Sequence, residues 1–269
     1  MSSARMSTLA TLRRHIERIE APDGTAASPR VALGHAAVDA VLRGGLSAAS
    51  VHEVYSEGHQ STAATGFIAG LAARVTARRP LVWVRQDFCD LEMGALSMRG
   101  LFELGLDPRC LVTVRASDVE SALRSTADAL ACDALGAVVL EVWGQTRQLD
   151  LVASRKLTLA AQASGVTGLL LRIAAAPEPS TAETRWIVRA AHSPPQTALL
   201  PAALWSEWGA PCFDAQLIRN RHGPTGRWIM EWKCDECLFS EAADPQPVAA
   251  TPAHRPHQAT IGAQQRRAS

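Results

Sequence analysis

Lysine is almost missing from this chain: only Lys156 and Lys233 stand among 27 basic residues. A GC-rich coding bias accounts for the arginine excess more simply than a functional choice does. A charge excess is missing too. The formal net charge is +1, so no global field draws the chain toward nucleic acid or a membrane, and any such attraction must come from a local patch. Long apolar runs are absent, and no window approaches the ~20 apolar residues that cross a bilayer. The opening residues carry "TLRRHIERIE", charged throughout, so no secretory signal is expected. Six cysteines are too few and too scattered to staple a chain of 269 residues, and free thiols in a reducing cytoplasm are the expected setting. This length suits one large or two small domains and is ample for a buried core.

What is present is alternation. Leu9, Leu12, Ile16 and Ile19 share one face of a predicted helix over 7–20, and "APDGTAASP" then breaks it, so residues 1–29 read as a helix and linker. A short helix is expected around Ala37–Leu42, ended by Gly44 and Gly45. Strands are predicted at 51–55, 81–84, 110–114, 136–142 and 168–173. Between them run helices with single apolar faces: Phe67, Leu71 and Val75; then Met93, Leu96, Leu101 and Leu104 after an Asp90 cap. Next come Val119, Leu123, Thr126 and Leu130 behind a Ser117–Glu120 capping box, and finally Leu149, Val152 and Leu159. Continuous apolar strands alternating with amphipathic helices predict an α/β fold, a parallel sheet covered on both faces. Past residue 174 the pattern changes to a strand at "TRWIVRAA", an irregular stretch, and two strands around His222–Gly226, an antiparallel extension. The core is expected to span 30–239, and the apolar-poor 240–269 to form a disordered tail.

The stretch "HEVYSEGHQSTAATGFIAGLAAR" (52–74) has the frame of a strand, phosphate loop and helix. In the pattern G-x-x-x-x-G-K-[ST], backbone N–H groups and a lysine cradle phosphates. Here Ser56, Ser61, Thr62 and Ala63 occupy those four positions, so the loop reads as degenerate and no cofactor is expected. Ser61 or Thr65 offers a hydroxyl, but no cation stands beside it. Glu141 ends an apolar strand as an acid does when presented to a metal, and Arg85, Asp87 and Asp90 follow another strand. Caps and solvated loop positions explain these acids as well. Cys234 and Cys237 form a lone C-x-x-C without the second pair that a structural zinc needs, so no metal is expected. Arg219, Arg221, Arg227 and Lys233 cluster around Trp228 and Trp232, a composition suited to a partner or DNA contact.

In order along the chain, "VALGHAAVDAVLRGGLSAASVHEVYS", "LGLDPRCLVTVRASDVESALRSTADAL" and "GAVVLE" resemble the core of RecA recombinases over about 30–190. Within that group "RQDFCDLEMGALSMRGL" and "RNRHGPTGRWIMEW", with the missing lysine, resemble the ImuA family. The resemblance implies a RecA-like fold and a non-catalytic accessory role in SOS mutagenesis and translesion DNA synthesis. It implies as partners an ImuB-like Y-family polymerase homologue, RecA, an error-prone C-family DNA polymerase and, through the hairpin, DNA. It places Asp87 where a catalytic glutamate would stand and Glu141 where the metal-side aspartate would stand. The recombinase DNA-binding loops would correspond to about 143–150 and 174–184, both short here. Two alternatives remain at this level: an atypical DNA-binding ATPase, and a SulA-like cell-division inhibitor.

Overall fold

The computed structural model describes residues 29–193 and 209–242. The predicted helix over 7–20, the irregular stretch 194–208 and the tail beyond 242 lie outside the described residues. Among the described residues, eleven strands and six α-helices follow in chain order. A two-stranded ribbon, β1 (Arg30–Val31) with β2 (Leu46–Ser47), encloses helix α1 (Ala36–Val41). Neither ribbon strand is long enough to carry a periodic signal in sequence. The Arg30 guanidinium closes it by donating to the carbonyl of Leu42 at 2.8 Å.

The main sheet has nine strands in the order β11-β10-β9-β8-β3-β7-β6-β4-β5. Its parallel part consists of β3 (Val51–Ser56), β4 (Leu81–Gln86), β5 (Leu111–Ala116), β6 (Ala137–Trp143), β7 (Thr167–Ile173) and β8 (Thr184–Ala190). The antiparallel extension is β9 (Cys212–Asn220), β10 (Gly226–Lys233) and β11 (Leu238–Glu241). The core thus runs two residues past the predicted boundary at 239, because β11 pairs with Met230–Lys233. Helix α2 (Ser61–Val75) covers one face, and α5 (Val119–Leu130) and α6 (Leu151–Ser164) cover the other.

Three local expectations are corrected. The single helix predicted after Asp90 is two, α3 (Asp87–Met93) and α4 (Met98–Glu103). Gly94 at φ 77° breaks the first, and the Ser97 hydroxyl caps the second by accepting from the Gly100 N–H. Asp90 lies inside α3 and caps nothing, since its carboxylate is taken by Arg85. The cap of α5 is Asp118, whose carboxylate accepts from the Ser121 N–H at 2.7 Å, one residue beyond the predicted Ser117. On α6 the buried residues are Ser154, Leu157 and Ala161, and Val152 and Leu159 are exposed. Small residues there, not the large ones, let the helix lie close to the sheet.

The antiparallel extension is held by an aromatic seam against α2. The Phe67 ring lies 5.7, 5.6 and 5.2 Å from Trp186, Phe213 and Phe239, and Trp232 meets Phe239 at 4.7 Å. Helical glycines make room for it. A methyl group at Gly70 would stand 2.8 Å from the Phe239 ring and 3.0 Å from Trp232. In an open helix Gly→Ala adds up to ~1 kcal/mol of stability. Here overpacking, which costs about 1–3 kcal/mol, opposes that gain. Gly70→Ala is therefore expected to lower stability by about 1 kcal/mol, read as a reduced urea midpoint. An increased midpoint would show that the seam yields.

Candidate functional site

The carboxyl ends of the parallel strands are where open α/β sheets place their ligands. At the end of β3 the chain enters a single 3-10 turn, Gly58–Gln60, and passes straight into α2 at Ser61. A phosphate nest needs consecutive N–H groups turned inward by alternating right- and left-handed residues. From residue 50 to 76 no residue has a positive φ, and the Gln60 N–H is spent on the Glu57 carbonyl at 2.9 Å. The indole of Trp143, at the end of β6, lies over the turn, so close that a methyl group at Gly58 would stand 3.2 Å from it. The Gln60 side-chain oxygen accepts from the Ala190 N–H at 2.8 Å, tying the turn to β8. Glu57 pairs with Arg189 at 2.8 Å, and that guanidinium holds its carboxyl below the usual range, so the turn is tied to β8 by an ion pair as well. Ser56 is buried; Ser61, Thr62 and Ala63 form the first turn of α2. The four degenerate positions therefore sit in a turn built and charged for contact with the protein's own strands.

The acids on the neighbouring strands are also engaged. Glu141 on β6 is fully buried; it accepts from the Trp83 indole N–H at 2.8 Å and lies 3.0 Å from Nε of Arg85. Arg85, at the end of β4, also contacts the Asp90 carboxylate and donates to the Gly94 carbonyl at 2.8 Å. Burial raises the Glu141 carboxyl above its ordinary value, with Arg85 pulling the other way. Cys89 lies against this pair, and burial together with Glu141 pushes its thiol up to about 12, so it is an inert neutral thiol. Asp87 opens α3 half-exposed and turns outward to Arg115 of β5 at 2.8 Å. The structure thus brings Asp87 and Glu141 to adjacent strand ends but ties each to a different arginine. The sequence reading missed Arg85 as the organiser and Trp143 as the cover of the loop.

Beside Arg85 a cavity of about 230 Å3 opens between the first turns of α2 and the α3–α4 hairpin. Ser61, Thr62 and Thr65 face it from α2, and Met93, Leu96 and Leu101 from the hairpin. Around this hairpin Phe88, Leu91, Met98 and Phe102 are exposed, Leu91 to 80% and Phe102 to 64%.

The basic hairpin folds as expected, but its residues are not gathered on one face. Residues adjacent in a strand point to opposite sides. Trp228 and Trp232 face α2, where Trp232 is fully buried and Trp228 packs on Trp186, whereas Arg227 and Lys233 point the other way. Arg227 grips Asp214 with Nε and Nη2, the first at 2.6 Å, and Lys233 pairs with Glu231. Arg219 is half-buried and donates to the Ser180 carbonyl at 2.7 Å, and Arg221 is exposed in the turn. Arginine and tryptophan are interleaved in sequence and separated in space. All six cysteines are free, and among the described residues no group of three metal-ligating side chains converges. No helix among the described residues is long and apolar enough to cross a membrane.

A scan against protein-family models finds no match to this chain, and a search of curated proteins finds none either.

Removing one member of a buried ion pair leaves the other uncompensated and costs about 3–5 kcal/mol. Arg85→Met is therefore expected to lower stability by that order, and Arg85→Met with Glu141→Leu to recover most of it. A double variant as unstable as the single one would show that Glu141 does not depend on Arg85.

Proposed function

We propose that this chain is a non-catalytic accessory protein on a RecA-like scaffold, of the ImuA kind, acting by contact in damage-induced translesion synthesis. The observation that carries the reading is the turn after β3. It keeps the strand–turn–helix frame, while Trp143 covers it, Glu57 is paired with Arg189, and the Gln60 and Ser61 N–H groups donate to the Glu57 and Gly58 carbonyls. Phosphate affinity at such a turn comes from a nest of N–H donors and a cation; here no positive φ shapes a nest, and the neighbouring cation, Arg189, is held by Glu57. The acids support the reading as well, since Glu141 and Asp87 act as counterions to Arg85 and Arg115.

A contact function needs a contact surface, and the α3–α4 hairpin supplies one. Exposed Phe88, Leu91, Met98 and Phe102 on two short helices exceed the scattered apolar residues of an ordinary surface. We assign this surface to the ImuB-like polymerase homologue that the family resemblance implies. RecA, a C-family polymerase and DNA are further partners of the same reading, and the outer face of Arg227, 54% exposed beside Asp214, is a hairpin group that faces them.

Calorimetric titration with ATP and Mg2+ is expected to give no saturable heat, and micromolar binding would overturn the non-catalytic reading. Leu91→Asp with Phe102→Asp is expected to weaken capture of the purified polymerase homologue about tenfold or more, with circular dichroism unchanged. Undiminished capture by a folded variant would move the contact elsewhere.

A further inference from the structure

On the sheet face opposite α2, three arginines lie in a row across neighbouring strands: Arg172 near the carboxyl end of β7, Arg185 at the amino end of β8, and Arg219 near the end of the antiparallel β9. Arg172 of β7 stands beside Tyr55 of β3, Arg185 of β8 stands beside Glu53 of β3, and Arg219 of β9 stands beside Arg185. The guanidinium carbons of Arg172 and Arg185 each lie 5.7 Å from the centre of the Tyr55 ring, one on either side. Arg185 donates to Glu53 and to the Ser180 hydroxyl, both at 2.7 Å, and Arg219 donates to the Ser180 carbonyl at 2.7 Å. Three guanidiniums therefore share one contacting carboxylate.

Arg172 is the member without a counter-charge. Its side chain is 1% exposed, and its Nε and Nη2 meet no hydrogen-bond acceptor among the described residues. Those two atoms form the edge with which an arginine grips two oxygens at once. This protein uses the same edge on Arg227, where Nε and Nη2 take the two oxygens of Asp214. A buried charge left unpaired is costly, and buried charges are generally matched.

We infer that the row of Arg172, Arg185 and Arg219 is an oxyanion site that takes a phosphate group, gripped by Nε and Nη2 of Arg172. Phosphate is favoured over a carboxylate because the row carries two positive charges beyond Glu53, and a phosphate brings nearly two negative charges at neutral pH. Polar groups stand close by: the Ser180 hydroxyl contacts Arg185, and the Tyr55 ring lies within 5.7 Å of both guanidinium carbons. Residues 174–183 close over the row, held to α6 by Thr181 against Ser154 and Thr158 at 2.9 and 2.7 Å. Phosphate therefore reaches Arg172 as this segment lifts, and its binding changes the segment's amide exchange. The site does not rest on the functional reading above, and lies on the other sheet face from α2 and its opening turn.

The test is thermal unfolding of the full chain in sodium phosphate against sodium chloride at matched ionic strength. A saturable rise in Tm with phosphate is expected, together with altered deuterium uptake over 174–183. Arg172→Met is expected to abolish the phosphate dependence. Arg172→Lys, which keeps the charge but not the two-pronged edge, is expected to weaken it about tenfold or more. If the Met variant does not fold, the Lys variant and the Nε–H signal of 15N-labelled Arg172 in the unaltered chain decide the question. A short single-stranded oligonucleotide forms a parallel arm: an Arg172-dependent response to it alone would identify the phosphate as that of a nucleic-acid backbone. Phosphate and oligonucleotide both acting no better than chloride, or acting equally on Arg172→Met, would overturn the site.

Discussion

The buried guanidinium of Arg85 is the contact on which the carboxyl end of the sheet depends. It reaches from β4 to Glu141 of β6 at 3.0 Å, to the Gly94 carbonyl at 2.8 Å, and to Asp90 inside α3. One side chain thus joins two strands to a helix and to the glycine turn that ends it. Replacing a buried pair by apolar groups is often nearly neutral, whereas breaking it is expensive, so Arg85 and Glu141 constrain each other strongly whatever their net contribution. The consequence for chemistry is direct. Trp83 and Arg85 both meet Oε2 of Glu141, Oε1 has no hydrogen-bond partner among the described residues, and burial raises the proton affinity of the carboxyl.

A second constraint makes the antiparallel extension part of the core. Helix α2 leaves the altered turn and immediately presents Gly66 and Gly70 to Phe213, Phe239 and Trp232. The glycines cost helix propensity, and the close approach of three aromatic rings offsets that cost. The same helix therefore carries both the turn and the seam. Whatever the first turn of α2 does, the helix, its direction and its glycines are needed to hold β9, β10 and β11 in place. Packing alone accounts for the strand–turn–helix frame after β3.

Much of this was legible in the sequence, and the misses have specific causes. Each parallel strand from β3 to β8 is a short apolar run, so the α/β class and the helical crossovers could be read from alternation. The antiparallel hairpin announced itself through Gly223, Pro224 and Gly226. Strands of two residues such as β1 and β2 leave no period to detect. The break at Gly94 was hidden because the apolar spacing of Met93, Leu96, Leu101 and Leu104 runs across it. On α6, residue size misled, since Ala161 and Ser154 are buried where Val152 and Leu159 are not. At the site, the departure of Ser56, Ser61, Thr62 and Ala63 from the glycine-and-lysine pattern was readable in the sequence. Its cover by Trp143 was not, because that contact joins residues 85 positions apart in the chain. The hairpin error had a remedy in sequence: Arg227 and Trp228 are neighbours in a strand, so they had to face opposite ways.

Two arginines near the ends of apolar strands in the same sheet, β4 and β7, show how far composition can and cannot go. "LVWVR" and "GLLLRI" look alike, and both place a buried guanidinium beside an aromatic ring on a parallel strand. Arg85 has Glu141 on the next strand and Asp90 on the following helix, so its charge is more than matched. Arg172 has Val142 and Tyr55 as its strand neighbours, and the nearest contacting carboxylate of its row, Glu53, is held by Arg185. The difference lies in which residue the sheet order sets alongside, a non-local fact that no window of sequence contains. Because the two faces of the sheet are separated by its own backbone, the balanced arginine at one site cannot compensate the unbalanced one at the other. Among the described residues, the counter-charges thus lie with Arg85 at the strand ends on the α2 face, while on the opposite face no carboxylate is paired with Arg172.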